Sequence, residues 1–281
     1  VRGDLEAGPP GLAGAAPTIY HGTPFTPRAA LLDILPGRAA FVSFYRPDDV
    51  DAVEQVCAQI GYDHGGASFW FAAMRLGQEW DEADRQGWWR AYYAWLEPRL
   101  QPGRWALLPD SPGAPSQIND ALLYDWPFGP AYGVPVWHMD GPLQRLGRLC
   151  ERYDKVALGW IGDPKKEQVG CPRYRERMEE IDAFFGNRWH PTHMLRGIKV
   201  AFDYPFDGAD STSLAQNGHL YDSPFDALWG DRWRGRRAYA DALERKIALR
   251  RHRPAGRLAR RSDHGRGDPP PPLGGGGLLD L

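Results

Sequence analysis

The chain has 281 residues, 42% hydrophobic and 12% aromatic, which suits one large domain with a real core. Its 34 Lys and Arg nearly balance 36 Asp and Glu, so net charge selects no partner, and no run of about 18 apolar residues exists to form a membrane-spanning helix. Cys57, Cys150 and Cys171 lie far apart with no C-x-x-C pair, which argues against a zinc cluster or disulfide framework and fits a reducing, cytoplasmic setting.

Residues 1–17 read as a flexible Gly/Ala/Pro lead-in. Eight short runs rich in β-formers follow, at 18–21, 39–44, 61–63, 105–108, 134–137, 156–159, 193–196 and 208–211. Helical patterns fall between most of them, at 48–60, 79–96, 116–124, 142–153 and 173–185; 27–35 is a weak crossover and 200–207 reads as loop. This alternation predicts βα units on a parallel sheet. Eight units predict an α/β fold closed into a (β/α)₈ TIM-type barrel over residues 18–251, with a doubly wound sheet as the alternative. A closing helix is expected at 233–249. The segment 232–261 holds twelve Lys and Arg against two acidic residues, either a solvated face or a phosphate-contacting one. Residues 252–281, rich in Arg, Gly and Pro, predict a disordered tail.

In a parallel barrel the residues just past each strand face one shared pocket. Those positions hold His21, Ser43, Asp63, His64, Asp110, His138, Gly159 to Gly162, Arg196 and Asp210. One strand-end aspartate is as readily an N-cap or loop anchor as a functional group. Three from different strands are costly to bury together without a task, and point to a catalytic site. Asp63 is followed by Gly65 and Gly66, which permit a tight turn and close approach of backbone to a ligand. Phe69, Trp70 and Trp160 are candidates to stack on a flat ligand, though aromatics are more often packing.

Other signals carry less. The segment Tyr20-His-Gly-Thr23 is similar to the NAD-gripping tripeptide of ADP-ribosyltransferases, but no matching Tyr and Glu segments follow. His190 and His193 are split by Pro191, which opposes a shared helix face, so no metal or other cofactor is expected. Lys165, Lys166, Arg173, Arg175 and Arg177 read as a solvated face.

The order of the segments Asp63-His-Gly-Gly66, Leu108-Pro-Asp110, Leu158-Gly-Trp-Ile-Gly162 and Gly208-Ala-Asp210 resembles the queuine tRNA-ribosyltransferase (tRNA-guanine transglycosylase) superfamily over roughly residues 18–250. The resemblance implies a barrel enzyme that exchanges guanine in nucleic acid for a 7-deazaguanine base, with Asp210 as nucleophile and Asp63 handling protons. It implies a base slot of Asp110, His138, Gly65, Gly66, Gly159, Gly162 and Phe69. The zinc segment C-x-C-x-x-C of the tRNA-acting enzymes is missing and the chain is shorter than they are, so the resemblance lies nearer the compact DNA-modifying members. DNA is then expected ahead of tRNA, gripped by Arg232, Arg234, Arg236 and Arg237 beside Trp229 and Trp233. No membrane partner is expected, and a homodimer is left open. A nucleoside or glycoside hydrolase using the same two aspartates, and a non-catalytic nucleic-acid-binding barrel, are the other readings. The barrel reading requires Asp63, Asp110 and Asp210 to open at one end of the sheet.

Overall fold

A computed structural model describes residues 16–66, 68, 82–111, 114–163 and 166–245. The expectations for Phe69, Trp70, Lys165 and the tail from 252 onward lie outside those residues. The strands are β1 (Thr18–Gly22), β2 (Ala39–Ser43), β3 (Gln59–Asp63), β4 (Arg104–Leu107), β5 (Gly133–Val134), β6 (Val136–His138), β7 (Val156–Gly159), β8 (Thr192–Met194) and β9 (Gly208–Ser211). The helices are α1 (Arg28–Ile34), α2 (Val50–Val56), α3 (Glu82–Leu96), α4 (Ser116–Leu122), α5 (Leu143–Arg152), α6 (Pro172–Phe185), α7 (Ser213–Asn217) and α8 (Arg234–Arg245).

All pairings are parallel, in the order β5-β4-β3-β2-β1-β9-β8-β7-β6. The two ends of that order, β5 and β6, are separated in the chain only by Pro135. Proline has no N–H to donate, so one continuous strand reads as two. Leu108 N–H donates to the Val134 carbonyl on one side, and Ala157 N–H to the Pro135 carbonyl on the other. The sheet is therefore a nearly closed barrel, consistent with a TIM-like fold. Among the described residues the crossover from β8 to β9 carries no helix, as the loop reading of 200–207 expects.

Strand alternation divides the apolar residues into an inner and an outer layer. Tyr20, Ala39, Phe41, Trp105, Leu107, Val134, Val136 and Ala157 form one buried cluster, the barrel interior. Between them come Ala40, Val42, Ile60 and Tyr62, which pack against α1, α2 and α3. Val156 and Leu158 likewise join Leu146, Leu149, Tyr174, Met178 and Ile181 of α5 and α6. Each large apolar side chain so buried contributes about 1.5–3 kcal/mol. Gly61 keeps the inner layer from overfilling: a Cβ there would lie 2.6–2.8 Å from ring atoms of Phe41 and Trp105. The polar ends of the interior aromatics are satisfied, with Trp105 Nε1 donating to Tyr20 Oη at 3.1 Å and Tyr20 donating to Gln59 at 2.9 Å.

The same alternation corrects the reading of His21. Tyr20 points into the barrel, so His21 points out, where its Nε2 meets Glu244 of α8 at 2.9 Å. His21 fastens the last helix to β1 and does not face the pocket.

Candidate active site

Because every strand runs the same way, the carboxyl ends of β3, β4, β6, β8 and β9 all lie at one end of the barrel. Asp63 ends β3, His138 ends β6, Asp210 lies in β9, and Asp110 follows β4 by three residues. The inward sense of three of them follows from period two: Gly61 faces in, hence Asp63; Val134 and Val136 face in, hence His138; Gly208 meets His193 inside, hence Asp210. Asp110 lies beyond the end of β4 and is placed by its bonds to His64 and His138. Asp63, Asp110 and Asp210 thus lie at the same end of the barrel.

Asp110 lies between two histidines. His64 Nε2 is 2.6 Å from its Oδ1 and His138 Nε2 is 2.5 Å from its Oδ2. Gly66 N–H donates to His64 Nδ1 at 3.0 Å, which makes Nε2 the protonated nitrogen that donates to Asp110. Burial opposes ionisation of Asp110, but the hydrogen bonds and charges of His138 and His64 hold its carboxyl well below the usual carboxylate range. Burial also opposes a second proton on His64; the Asp110 bond and the charges of Asp110 and Asp63 outweigh it and raise the imidazole pKa. The loop after Asp110 is pinned by buried Asn119, whose side-chain oxygen accepts from Ser111 N–H at 2.7 Å. His64 was legible as part of a motif, but its bond to Asp110 was not.

The Asp-His-Gly-Gly turn is built from its own side chains. Asp63 Oδ1 accepts from Gly65 N–H at 3.0 Å, and Gly65 takes φ +71°, a conformation natural to glycine. Trp88 of α3 clamps the turn from outside, donating from Nε1 to the His64 carbonyl at 2.8 Å. Burial raises the pKa of Asp63; His64 and Gly65 N–H oppose this, and the negative charges of Asp110 and Asp210 reinforce it. Asp63 is thus biased towards holding a proton.

Among the described residues Asp210 is oriented through one oxygen. Its Oδ1 accepts from His193 Nε2 at 3.1 Å and from Arg196 N–H at 3.0 Å. Arg196 has φ +55°, rare for a residue with a side chain, and its N–H is directed at the carboxylate from that conformation. His193 was read only as half of an unlikely metal pair. Its signal was alternation: in β8 it stands two positions before Leu195, which packs against the barrel interior.

Other expectations are narrowed. Gly159 lies beside His138 in register, and a Cβ there would come within 3.4 Å of that ring. Gly162 is required by its own loop instead, since a Cβ would fall 2.5 Å from the Glu167 carbonyl. Trp160 donates to that same carbonyl at 2.6 Å and packs edge-on to Tyr174, which accounts for it as packing. Arg177 is no solvated charge: it donates to the carbonyls of Met139 and Gly141 in the loop after His138. Arg232 and Arg234 are exposed, but Arg236 is buried in a bidentate pair with Asp222 and Arg237 is paired with Asp231. Arg236 is therefore a structural tie first, while Arg237 is bonded within the chain through Nη1 and Nη2 but remains partly exposed.

Among the described residues no group of His, Cys, Asp and Glu is arranged to hold a metal, and no helix is long and apolar enough to cross a membrane. Compared with protein-family models, with curated proteins and with solved structures, the chain finds no match.

Proposed function

We propose that this chain is a guanine transglycosylase on a TIM-type barrel, exchanging guanine in nucleic acid, DNA ahead of tRNA, for a 7-deazaguanine base. The observation that carries the reading is the unequal treatment of three carboxyls at one barrel mouth. Asp210 is held by two donors on Oδ1, with no hydrogen bond to Oδ2 among the described residues. Asp63 is biased towards its protonated form, and Asp110 is fixed as an anion between two histidines. A carboxylate nucleophile held by fixed donors, beside a second carboxyl able to carry a proton, is what retaining glycosyl transfer needs.

In this reading Asp210 Oδ2 bonds to C1′ as the bond from C1′ to N9 breaks. The electron pair leaves with guanine, which takes the proton of Asp63. The incoming base then displaces Asp210 and returns a proton to Asp63. Asp110 and His138 serve the base slot. Each Asp110 oxygen keeps one acceptor site beyond its histidine, so the base meets a carboxylate already organised.

The test is denaturing electrophoresis of the protein with guanine-containing DNA or tRNA, together with incorporation of radiolabelled guanine. A covalent adduct that vanishes in Asp210→Asn, with exchange down by several orders of magnitude, is expected. Loss of base without dependence on an added base would instead mean hydrolysis. Neither adduct nor exchange from folded protein would leave a non-catalytic barrel.

A further inference from the structure

His193 is fully buried, and its ring lies against Phe41, Trp105 and Tyr20 at centroid distances of 5.6, 5.0 and 5.3 Å. Its Nδ1 is buried and has no hydrogen-bond partner among the described residues. The Asp210 carboxylate can only accept, so Nε2 must carry a proton, and a second one on the buried Nδ1 would be an unpaired N–H at its full desolvation cost. The proton is therefore on Nε2, which donates to Asp210. The groups facing the ring agree: burial and the Lys155 charge lower its pKa, against the pull of Asp210 and Asp207. A neutral donor orients Asp210 without neutralising it, whereas an imidazolium would draw charge out of the nucleophile.

We infer that His193 is a positioning residue whose Nε2–H, together with Arg196 N–H, leaves Asp210 Oδ2 to attack and makes Oδ1 the polarised oxygen that drives breakdown of the glycosyl ester. This rests on the transglycosylase reading. Once Oδ2 is bonded to C1′, Oδ1 is the ester carbonyl oxygen. In the second step N9 of the incoming base bonds to C1′ and the C1′–Oδ2 bond breaks. The electron pair returns to Asp210 and the N9 proton passes to Asp63. Negative charge grows on Asp210 during that step, so donors already aimed at Oδ1 stabilise its transition state. In the first step charge leaves Asp210, so the same donors give that step no assistance. Losing His193 must slow breakdown more than formation.

The experiment compares wild type, His193→Phe and His193→Gln in forming adduct with a guanine-containing oligonucleotide, then chases with excess free guanine. In His193→Phe the adduct should decay about 10-fold or more slowly, the loss of one hydrogen bond to a charged group, while its formation changes less. His193→Gln, which keeps a donor, should recover most of the decay rate. Decay at the wild-type rate in His193→Phe, or formation and decay slowed equally, overturns the inference. Absence of adduct in wild type overturns the transglycosylase reading and this inference with it. NMR of isotope-labelled histidine gives a readout that needs no variant to fold. His193 should be the neutral Nε2–H tautomer at about pH 6.5, where an ordinary imidazole is half protonated, and a mostly protonated ring at that pH overturns the proposal.

Discussion

His64 crosses from the end of β3 to the loop after β4 and donates from Nε2 to Asp110 Oδ1 at 2.6 Å, while its other nitrogen accepts from Gly66. The neutral imidazole thus joins two strand ends, and when it takes a second proton at Nδ1 it gives up the Gly66 bond and pairs with Asp110 as a cation. Asp110→Asn keeps the shape and removes the anion, and should destabilise the fold by about 3 kcal/mol. The depressed pKa of Asp110 gives stability present above its unfolded value of about 4 and lost as pH falls through the folded one. The raised pKa of His64 gives stability fully present below about 6.5 and lost as pH rises through its folded value. The wild-type advantage in urea unfolding should therefore peak between about pH 4 and 6.5 and shrink on either side. A difference independent of pH would show that the Asp110 charge is not what holds the site.

How much of this was legible differs by level. Strand period and turn residues located all the strand runs, and the barrel followed from their number. Asp63, Asp110 and Asp210 were found because strand-end positions in a parallel barrel share one mouth. What escaped were the partners. That His193 would meet Asp210, or His64 meet Asp110, depends on the stagger between strands, which hydrophobic pattern does not encode. The arginines at 232–237 differ for a related reason. A basic run looks uniform in sequence, while the structure turns Arg236 inwards and leaves Arg232 exposed.

Asp63 carries the opposite linkage to Asp110. Its raised folded pKa means stability fully present below the unfolded value and lost as pH rises through the folded one. Asp63→Asn removes that cost. The variant should match wild type near pH 4 and be more stable at pH 8, by thermal or urea unfolding. Base exchange should meanwhile fall by about 10²–10⁴-fold, the usual scale for loss of a general acid. A variant less stable than wild type at pH 8 would contradict the proposed charge crowding.

Gly61 tests the inner layer independently of any activity. A methyl group there has no room between the rings of Phe41 and Trp105, and both rings also pack on His193. Gly61→Ala should cost about 1–3 kcal/mol of overpacking strain in denaturant unfolding. It should also disturb Asp210 through His193, although Gly61 touches neither strand end. Unchanged stability would mean that the barrel interior is looser than its ring distances indicate.

The last helix separates anchoring from binding. Arg236 is buried, with Nε and Nη2 donating to Asp222 at 2.8 and 2.6 Å and Nη1 donating to the Thr26 carbonyl at 2.9 Å. It also lies over the Trp233 ring at 4.8 Å and so ties α8 to the loop after β1. Arg236→Ala leaves Asp222 without its counter-charge and should cost about 3–5 kcal/mol, the scale for breaking one side of a buried pair. Arg232→Ala and Arg234→Ala remove exposed charges and should leave unfolding unchanged within about 0.5 kcal/mol. If those two face phosphates, each should weaken nucleic-acid binding alike for all sequences and lower the salt slope by about 1. Equal slopes for wild type and both variants would remove α8 from the nucleic-acid surface. A stable Arg236→Ala with a reduced slope would reverse the assignment, making Arg236 the phosphate contact and its bond to Asp222 dispensable.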